Sequence, residues 1–215
     1  MVQRKALFLV YDGMSLSEVT LLADFLKVFQ PCEDAWEIDT VGSRDKRMVT
    51  SEESFQIVPN KSFDEILFSD YEVIVLTGNI NPYPIAEDKE LISFLSRLVD
   101  VDKRPLIAAI SSAPMFLAKS GVLEGVAFTS GLFEESLDAF NFFEKENIVR
   151  KPVVYDKEHH IVTGIGFAYR EFAVKVAELL GYDDAARRLS GVRVDREYTP
   201  EELTFYMNPP TDTSL

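Results

Sequence analysis

Short apolar runs alternate with amphipathic segments along most of this chain. Three of the runs, Lys5 to Tyr11, Glu72 to Leu76 and Pro105 to Ile110, have the length of strands rather than of helices. Ser17 to Gln30 and Ala168 to Leu180 instead place apolar residues at steps of three and four, as one face of a helix requires. Apolar strands that alternate with such helices are typical of a parallel sheet. The pattern predicts a doubly wound α/β fold, with a mostly parallel sheet and helices on both faces.

The same two periodicities predict the remaining elements. Strands are expected at 36–42, 126–129, 151–156 and 159–164, a hairpin or an irregular strand within 48–59, and helices at 87–101, 115–119 and 132–140. The S-x-x-E pair Ser62 and Glu65 predicts a further short helix start. No stretch has the composition of a linker, so residues 1–215 are predicted to form one domain with a helical tail from about residue 183.

Charge and composition exclude several classes of protein. The formal net charge is −14, which repels the phosphates of nucleic acids and anionic membrane surfaces. We therefore expect no nucleic acid and no membrane as partner. The single cysteine, Cys32, cannot form an internal disulfide, and the two histidines and this cysteine match no familiar metal site. These observations predict a cytoplasmic protein with no metal and no cofactor.

The run AAISSAPMF, from Ala108 to Phe116, is the strongest functional signal in the sequence. An apolar strand ends in two serines, and a helical pattern resumes at Pro114. A strand, a tight turn of small residues and a helix form the local architecture of a nucleophile elbow, although the G-x-S-x-G form is absent. The alternative is that Ser111 or Ser112 only caps the helix.

The residues LIAAISSAP closely resemble the elbow of the DJ-1/PfpI (ThiJ/PfpI) family, which is typically A-A-I-C-x-[GA]-P. The opening KALFLVYDGMSLSEVTLLADFL, the strand EVIVLTGN and the late DKEHHIVTGIGFAYREFAVKVAELLG resemble the family in the same order along nearly the whole chain. This family lies within the class I glutamine amidotransferase-like superfamily. The resemblance implies a flavodoxin-like three-layer sandwich, commonly a homodimer. Members of the family include glyoxalases or deglycases, isocyanide hydratases, proteases, chaperones and redox sensors.

The resemblance also implies roles for particular residues. Ser111 occupies the position of the family's reactive cysteine, and Glu18 matches the acidic residue that hydrogen-bonds it. Four further residues are implied to surround the pocket or to supply oxyanion-type donors: Gly78, Asn79, Ser112 and Ser130. Asn79 and Ser112 would contribute backbone amides, and Ser130 stands near the position where many members have a histidine. The sequence therefore departs from the family at the reactive cysteine and at this histidine.

These departures leave three functions open. A serine hydroxyl is far less acidic than a thiol and needs an adjacent base, so the chain is expected to keep a small-molecule pocket with weak or no hydrolase or glyoxalase activity. Alternatively, Glu18 acts as the base, because burial raises the pKa of a carboxyl, and Ser111 attacks a small carbonyl, amide or ester as a hydrolase or lyase. A third function is that of a ligand-sensing or chaperone-like dimer without catalysis.

Other residues have simpler interpretations. Ser15 and Glu18 form an S-x-x-E pair ahead of a helix, so Glu18 is expected to serve a capping box, the site, or both. His159 and His160 are expected in a turn away from the site. Cys32 lies beside acidic residues, which raise the pKa of a thiol, and is expected to be a bystander.

Overall fold

A seven-stranded sheet forms the centre of the structure, a computed structural model that describes residues 3–28, 30, 35–190, 195–200 and 203. The strands are β1 Lys5–Leu9, β2 Glu37–Gly42, β3 Val49–Thr50, β4 Gln56–Ile57, β5 Lys61–Ser62, β6 Val73–Leu76, β7 Leu106–Ile110, β8 Val153–Asp156 and β9 Ile161–Gly164. The order in the sheet is β5-β2-β1-β6-β7-β9-β8. Only β8 is antiparallel to its neighbour in this sheet, and β3 and β4 form a separate antiparallel hairpin.

Helices cover both faces of this sheet. They are α1 Thr20–Lys27, α2 Pro82–Ala86, α3 Lys89–Ser96, α4 Pro114–Lys119, α5 Glu134–Ala139, α6 Tyr169–Leu179 and α7 Ala185–Arg188. On one face, Phe25 of α1 and Phe172 of α6 pack against Phe8 of β1. On the other face, Leu95 of α3 and Phe116 of α4 pack with the strand side chains that point to that side of the sheet. The predicted doubly wound α/β fold with a mostly parallel sheet is confirmed.

The central strands are buried on both faces because their sequences are apolar at every position. In β6 and β7 all nine side chains, from Val73 to Leu76 and from Leu106 to Ile110, are buried. Val73 and Val75 pack into one core and Ile74 and Leu76 into the other, as the two-residue period of a strand requires. A strand with two apolar faces is stable only between two layers of helices, and this fixes β6 and β7 at the centre.

Most elements agree with the sequence analysis, and two do not. The strand predicted at 126–129 is wrong, because only Phe128 forms a bridge, to Ile148. There, the Thr129 amide donates to the Thr163 hydroxyl rather than to a neighbouring strand. The helix predicted at 87–101 is shorter, since the Asp88 side chain caps α3 by accepting from Leu91 N. The hairpin is confirmed, and in the predicted tail the structure describes α7, while the segment beyond residue 203 lies outside the described residues.

A buried carboxylate joins β2 to the segment before β6. Asp39 is 3% exposed and accepts hydrogen bonds from Tyr71 Oη at 2.8 Å and from Asn60 Nδ2 at 2.8 Å. Burial and this hydrogen bond raise the pKa of Tyr71, so its hydroxyl stays protonated and donates. A buried carboxylate costs free energy unless its oxygens are satisfied, so both donors stabilise this edge of the sheet.

We expect Tyr71→Phe to lower the free energy of unfolding by about 1.5–3 kcal/mol, the usual worth of a hydrogen bond to a charged group. Urea unfolding followed by circular dichroism would measure this change. Tyr155→Phe is the matched control, because the Tyr155 hydroxyl forms no hydrogen bond within the described residues. Equal effects of the two substitutions would contradict the role assigned to Asp39.

Candidate functional site

Four loops meet at the carboxyl edge of the sheet. Glu18 lies between β1 and α1, Gly78 follows β6, Ser111 follows β7, and Gly166 follows β9. The strands that carry these loops are parallel to one another, so all four loops leave the sheet at the same edge. The strand order reverses between β1 and β6, and ligands of open α/β sheets bind at such a reversal.

Ser111 has a left-handed backbone conformation. Its φ is +63°, which is unfavourable for a residue with a side chain. The turn is held by Ser111 N donating to Gly164 O at 2.8 Å and by Gly131 N donating to Ser111 O at 2.8 Å. Ser130 Oγ donates to the same Ser111 carbonyl at 3.0 Å. Such strain persists only where surrounding contacts impose it, and it is concentrated at functional sites.

The alternative that Ser111 or Ser112 caps the following helix is wrong. The residue at the cap position of α4 is Ala113, and no side chain accepts a hydrogen bond from the first turn. Ser112 is instead buried, and its hydroxyl accepts from Asn79 N at 2.9 Å. The same hydroxyl also lies 3.2 Å from Asn79 O and from Asn79 Oδ1. Ser112 therefore joins the β7 turn to the loop after β6.

Glu18 points into the site. Its Oε2 accepts from Gly78 N at 2.8 Å and from Thr77 Oγ1 at 2.9 Å. A Cβ atom added to Gly166 would lie 2.9 Å from Glu18 Oε1 and 3.0 Å from Ser111 Oγ, so both oxygens face Gly166. The structure therefore brings together Glu18 and Ser111, which the resemblance had paired.

The pKa of Glu18 is raised. Burial is the main cause, because the side chain is 9% exposed and loses hydration of its charged form. The hydrogen bond from Gly78 N and the interactions with the hydroxyls of Ser111 and Thr77 lower the pKa in part. The negative charge of Glu52 adds to the increase. The effect of burial on the pKa of Glu18 therefore exceeds that of its hydrogen bonds.

The capping box expected of Ser15 and Glu18 does not form. Helix α1 begins at Thr20, and no side chain caps it. Glu53, from the turn of the β3–β4 hairpin, accepts from Leu16 N at 3.1 Å and from Ser17 N at 3.0 Å. The carboxylate of Glu53 therefore satisfies the amides ahead of α1, and this leaves Glu18 free to point into the site.

The backbone amides of Asn79 and Ser112 were expected to be oxyanion donors, and they differ in whether they already form a hydrogen bond. Asn79 N donates to Ser112 Oγ, and the preceding amide, Gly78 N, donates to Glu18. Within the part of the chain that the structure describes, Ser112 N forms no hydrogen bond. Gly78 has no room for a side chain, since a Cβ would lie 2.5 Å from Ser112 N. Ser112 N is therefore the amide that remains available beside Ser111.

A cleft of about 470 Å³ lies over Ser111. Its lining residues are Glu18, Glu52, Asn79, Ile80, Pro82, Tyr83, Ser111, Ser112, Gly131, Leu132, Phe133, Glu135 and Ser136. Sequence reasoning missed Glu52 and Glu135, which come from an exposed hairpin turn and from the first turn of α5. It also missed Gly166, which allows close approach of two side chains. No local motif marks these residues, because only the packing of distant loops brings them together.

The histidines lie at the other end of the sheet. His159 and His160 belong to the turn between β8 and β9, and the ring nitrogen Nδ1 of His159 is 3.0 Å from Asp156 Oδ1. His160 lines a different cavity, at the amino ends of the strands. Their expected position away from the site is confirmed. Cys32 lies outside the described residues.

The searches for metal and membrane features can be stated only for the described residues. Among them, no three His, Cys, Asp or Glu side chains are grouped so that they could hold a metal ion. No helix in the same part of the chain has the length and apolar character needed to cross a bilayer.

Fold and cleft together define a doubly wound α/β protein with a candidate ligand site at the carboxyl edge of its sheet. The DJ-1/PfpI family model matches residues 4–179, and the chain therefore belongs to the DJ-1/PfpI family. Protein dj-1beta of Drosophila melanogaster is 27% identical over 183 residues, which are 83% of this chain and 90% of that protein.

Solved structures show the same fold. A DJ-1 superfamily protein from Agrobacterium tumefaciens is 24% identical, with a TM-score of 0.73 and coverage of 87% of this chain and 96% of its own. A thiJ/pfpI family protein from Bacillus anthracis is 24% identical, also with a TM-score of 0.73, and covers 94% of this chain and 95% of its own. At this identity the likeness establishes the fold and leaves the chemistry to the residues of the cleft.

We expect Gly78→Ala to destabilise the protein by about 1–3 kcal/mol, the usual cost of forcing an extra methyl group into a packed site. The added Cβ would meet Ser111 Cβ at 2.7 Å as well as the Ser112 amide. Chemical denaturation would measure the loss. An unchanged midpoint would show that the two loops are not packed as closely as described.

We expect the effect of Glu53→Gln on stability to depend on pH. Burial acts to raise the pKa of Glu53, but hydrogen bonds from Ser17 N and Leu16 N outweigh it and lower the pKa from 4.5 to about 2. Its stabilising effect is therefore full above the unfolded value and is lost as pH falls towards the folded one. Melting temperatures of both proteins should differ most above about pH 5 and converge in acid. A difference that stays constant with pH would contradict this role.

Proposed function

We propose that this chain binds a small molecule in the cleft over Ser111 and has weak or no hydrolase or glyoxalase activity of the family's usual kind. The observation that carries the proposal is the surroundings of the Ser111 hydroxyl. Glu18 interacts with this hydroxyl, and no His, Lys or Arg is among the described residues that line the cleft there. The turn at Ser111 is, in this proposal, the family's nucleophile elbow with serine in place of cysteine.

The chemistry of oxygen and sulfur supports this function. A thiol can be ionised near neutral pH by neighbouring donors, so an elbow cysteine needs little further help. A serine hydroxyl requires a base that takes its proton during attack and returns it to the leaving group, which an imidazole does well. Ser130 lies near the expected histidine position and its hydroxyl is occupied by the Ser111 carbonyl. Glu18 would have to act alone.

A second function is favoured by one observation. Glu18 lies beside Ser111 and has a raised pKa, which makes it a stronger base than an ordinary carboxylate. With Ser112 N as an oxyanion donor, Ser111 and Glu18 would then act as a hydrolase or lyase on a small carbonyl, amide or ester. The two hydrogen bonds from Gly78 and Thr77 to Glu18 oppose this function, because they stabilise the carboxylate and weaken its basicity.

A serine-directed fluorophosphonate separates these two functions. We expect no labelling of the wild-type protein above that of Ser111→Ala, since Ser111 lacks a strong base. Mass spectrometry of the intact protein would measure the adduct. Labelling that disappears in Ser111→Ala, with the fold intact by circular dichroism, would replace our proposal with the hydrolase.

Restoring the family residue tests whether the cleft is intact. We expect Ser111→Cys to raise methylglyoxal turnover by at least about 100-fold, a typical contribution of positioned acid–base groups. Both compared proteins carry Cys32→Ser, and they differ only in having Cys or Ser at position 111. The loss of methylglyoxal would be measured, with Glu18→Gln in the same background as control. Continued inactivity of a folded variant would mean that the cleft has been reshaped for another use.

The third function, a ligand-sensing or chaperone-like dimer without catalysis, is an alternative to these two, and we propose a homodimer in the cytoplasm for all three. It is supported by family membership and by a shallow surface outside α1, where Leu21, Ala23, Ile38 and Tyr169 lie together with polar and charged side chains. Tyr169 is 45% exposed there. Light scattering during size-exclusion chromatography would give the mass of the assembly.

A further inference from the structure

The cleft over Ser111 combines carboxylates with apolar and aromatic side chains. Three of its lining residues are acidic: Glu18, Glu52 and Glu135. Its remaining walls include Ile80, Pro82, Tyr83, Leu132 and Phe133. No lysine, arginine or histidine is among the residues found to line it within the described part of the chain. The charge of the cleft is therefore of one sign.

The carboxylates at the mouth have no cationic partner. Glu52 accepts a hydrogen bond from Ile80 N at 3.0 Å, which fixes the carboxylate at the edge of the cleft. Neither Glu52 nor Glu135 forms an ion pair with any described residue. Acidic residues elsewhere, such as Glu72 with Arg4 and Glu87 with Lys119, do have such partners. Glu52 and Glu135 are both exposed, so water solvates their charges where no ligand covers them.

A ligand that fills the cleft must displace part of this water. A neutral ligand would leave the carboxylates partly desolvated and unpaired, and an anion would add repulsion to that cost. A cation would replace the lost hydration with charge-assisted hydrogen bonds. The energetic balance therefore favours positive charge, and it does so independently of whether Ser111 reacts.

The apolar walls define the rest of the ligand. Ile80 is 87% exposed and Phe133 is 74% exposed, so both present apolar surface at the mouth that a ligand can cover. The ring of Tyr83 is held by its hydroxyl, 3.0 Å from Ser136 Oγ, and by packing against Phe140. Aromatic faces attract cations, so Tyr83 and Phe133 can contact the charged and the apolar parts of such a ligand.

We propose that the ligand of this cleft is a small organic cation, a primary ammonium or guanidinium group attached to an apolar or aromatic body. The positive group lies between Glu52 and Glu135, and the apolar body packs on Ile80 and Phe133. This inference rests on the proposed function, in that it assumes the cleft binds a small molecule. It adds the chemical class of that molecule.

Three probes of nearly equal shape test the sign of charge. Benzylamine is positive at pH 7, benzyl alcohol is neutral and benzoate is negative. We expect isothermal titration to give benzylamine about fivefold tighter binding than benzyl alcohol, the upper range for a partly exposed ion pair, and benzoate the weakest binding. Benzyl alcohol reports whether the cleft binds at all, and the ratio between the probes reports its charge preference.

A matched pair of variants excludes a general effect of net charge. Glu52→Gln with Glu135→Gln removes two negative charges from the cleft, and glutamine can still accept from Ile80 N. Asp100→Asn with Glu124→Gln removes two from exposed positions away from it. The first pair should abolish the preference for benzylamine over benzyl alcohol, and the second should leave it unchanged.

The possible results separate the two proposals. Equal binding of amine and alcohol, or tighter binding of benzoate, would overturn the cationic ligand while leaving a binding cleft. A preference lost equally in both double variants would also overturn it, because the effect would then come from the charge of the whole protein. Failure of all three probes to bind the wild-type protein would overturn both proposals. Retained preference in Ser111→Ala is expected, since the serine takes no part.

Discussion

The parallel pairing of β1, β6, β7 and β9 is the constraint on which the rest of the structure depends. These strands are buried on both faces over all or nearly all of their length, so they are stable only at the centre of a three-layer arrangement. Each connection between them must therefore return to the opposite end of the sheet before the next strand begins, and all four strands end at the same edge. Glu18, Gly78, Ser111 and Gly166 are distant in sequence and meet there for this reason.

Close approach between these loops sets the chemistry of the site. Glycine at positions 78 and 166 allows the Ser111 turn to lie against the β6 loop and the Glu18 carboxyl. The approach buries Glu18, which raises its pKa, and then supplies the Gly78 amide and the Thr77 hydroxyl, which partly lower it again. The result is a buried carboxyl whose pKa is raised and which is hydrogen-bonded to the loop after β6.

Family membership and reactivity are separate questions in this protein. The fold is shared with solved relatives at TM-scores of 0.73, yet fold alone does not specify an activity. Ser111 has a left-handed backbone conformation, and strain of this kind is concentrated at functional sites, but it does not by itself specify a reaction. Selection of a ligand would then depend on the walls of the cleft, where carboxylates and exposed apolar side chains are combined.

The sequence by itself determined the layers of the fold and the pairing of Ser111 with Glu18. Hydrophobic periodicity located the central strands because each of them is apolar along its whole length, a signal that needs no tertiary contact. It failed at 126–129, where the Thr129 amide donates to the side-chain hydroxyl of Thr163 in place of a backbone carbonyl of a neighbouring strand. The S-x-x-E pattern at Ser15 also misled, because Glu53 from a distant hairpin satisfies those amides. Only the tertiary structure decided the raised pKa of Glu18, the free amide of Ser112 and the acidic wall formed by Glu52 and Glu135. Burial and the proximity of charges arise from packing between distant segments, and these segments carry no common local pattern.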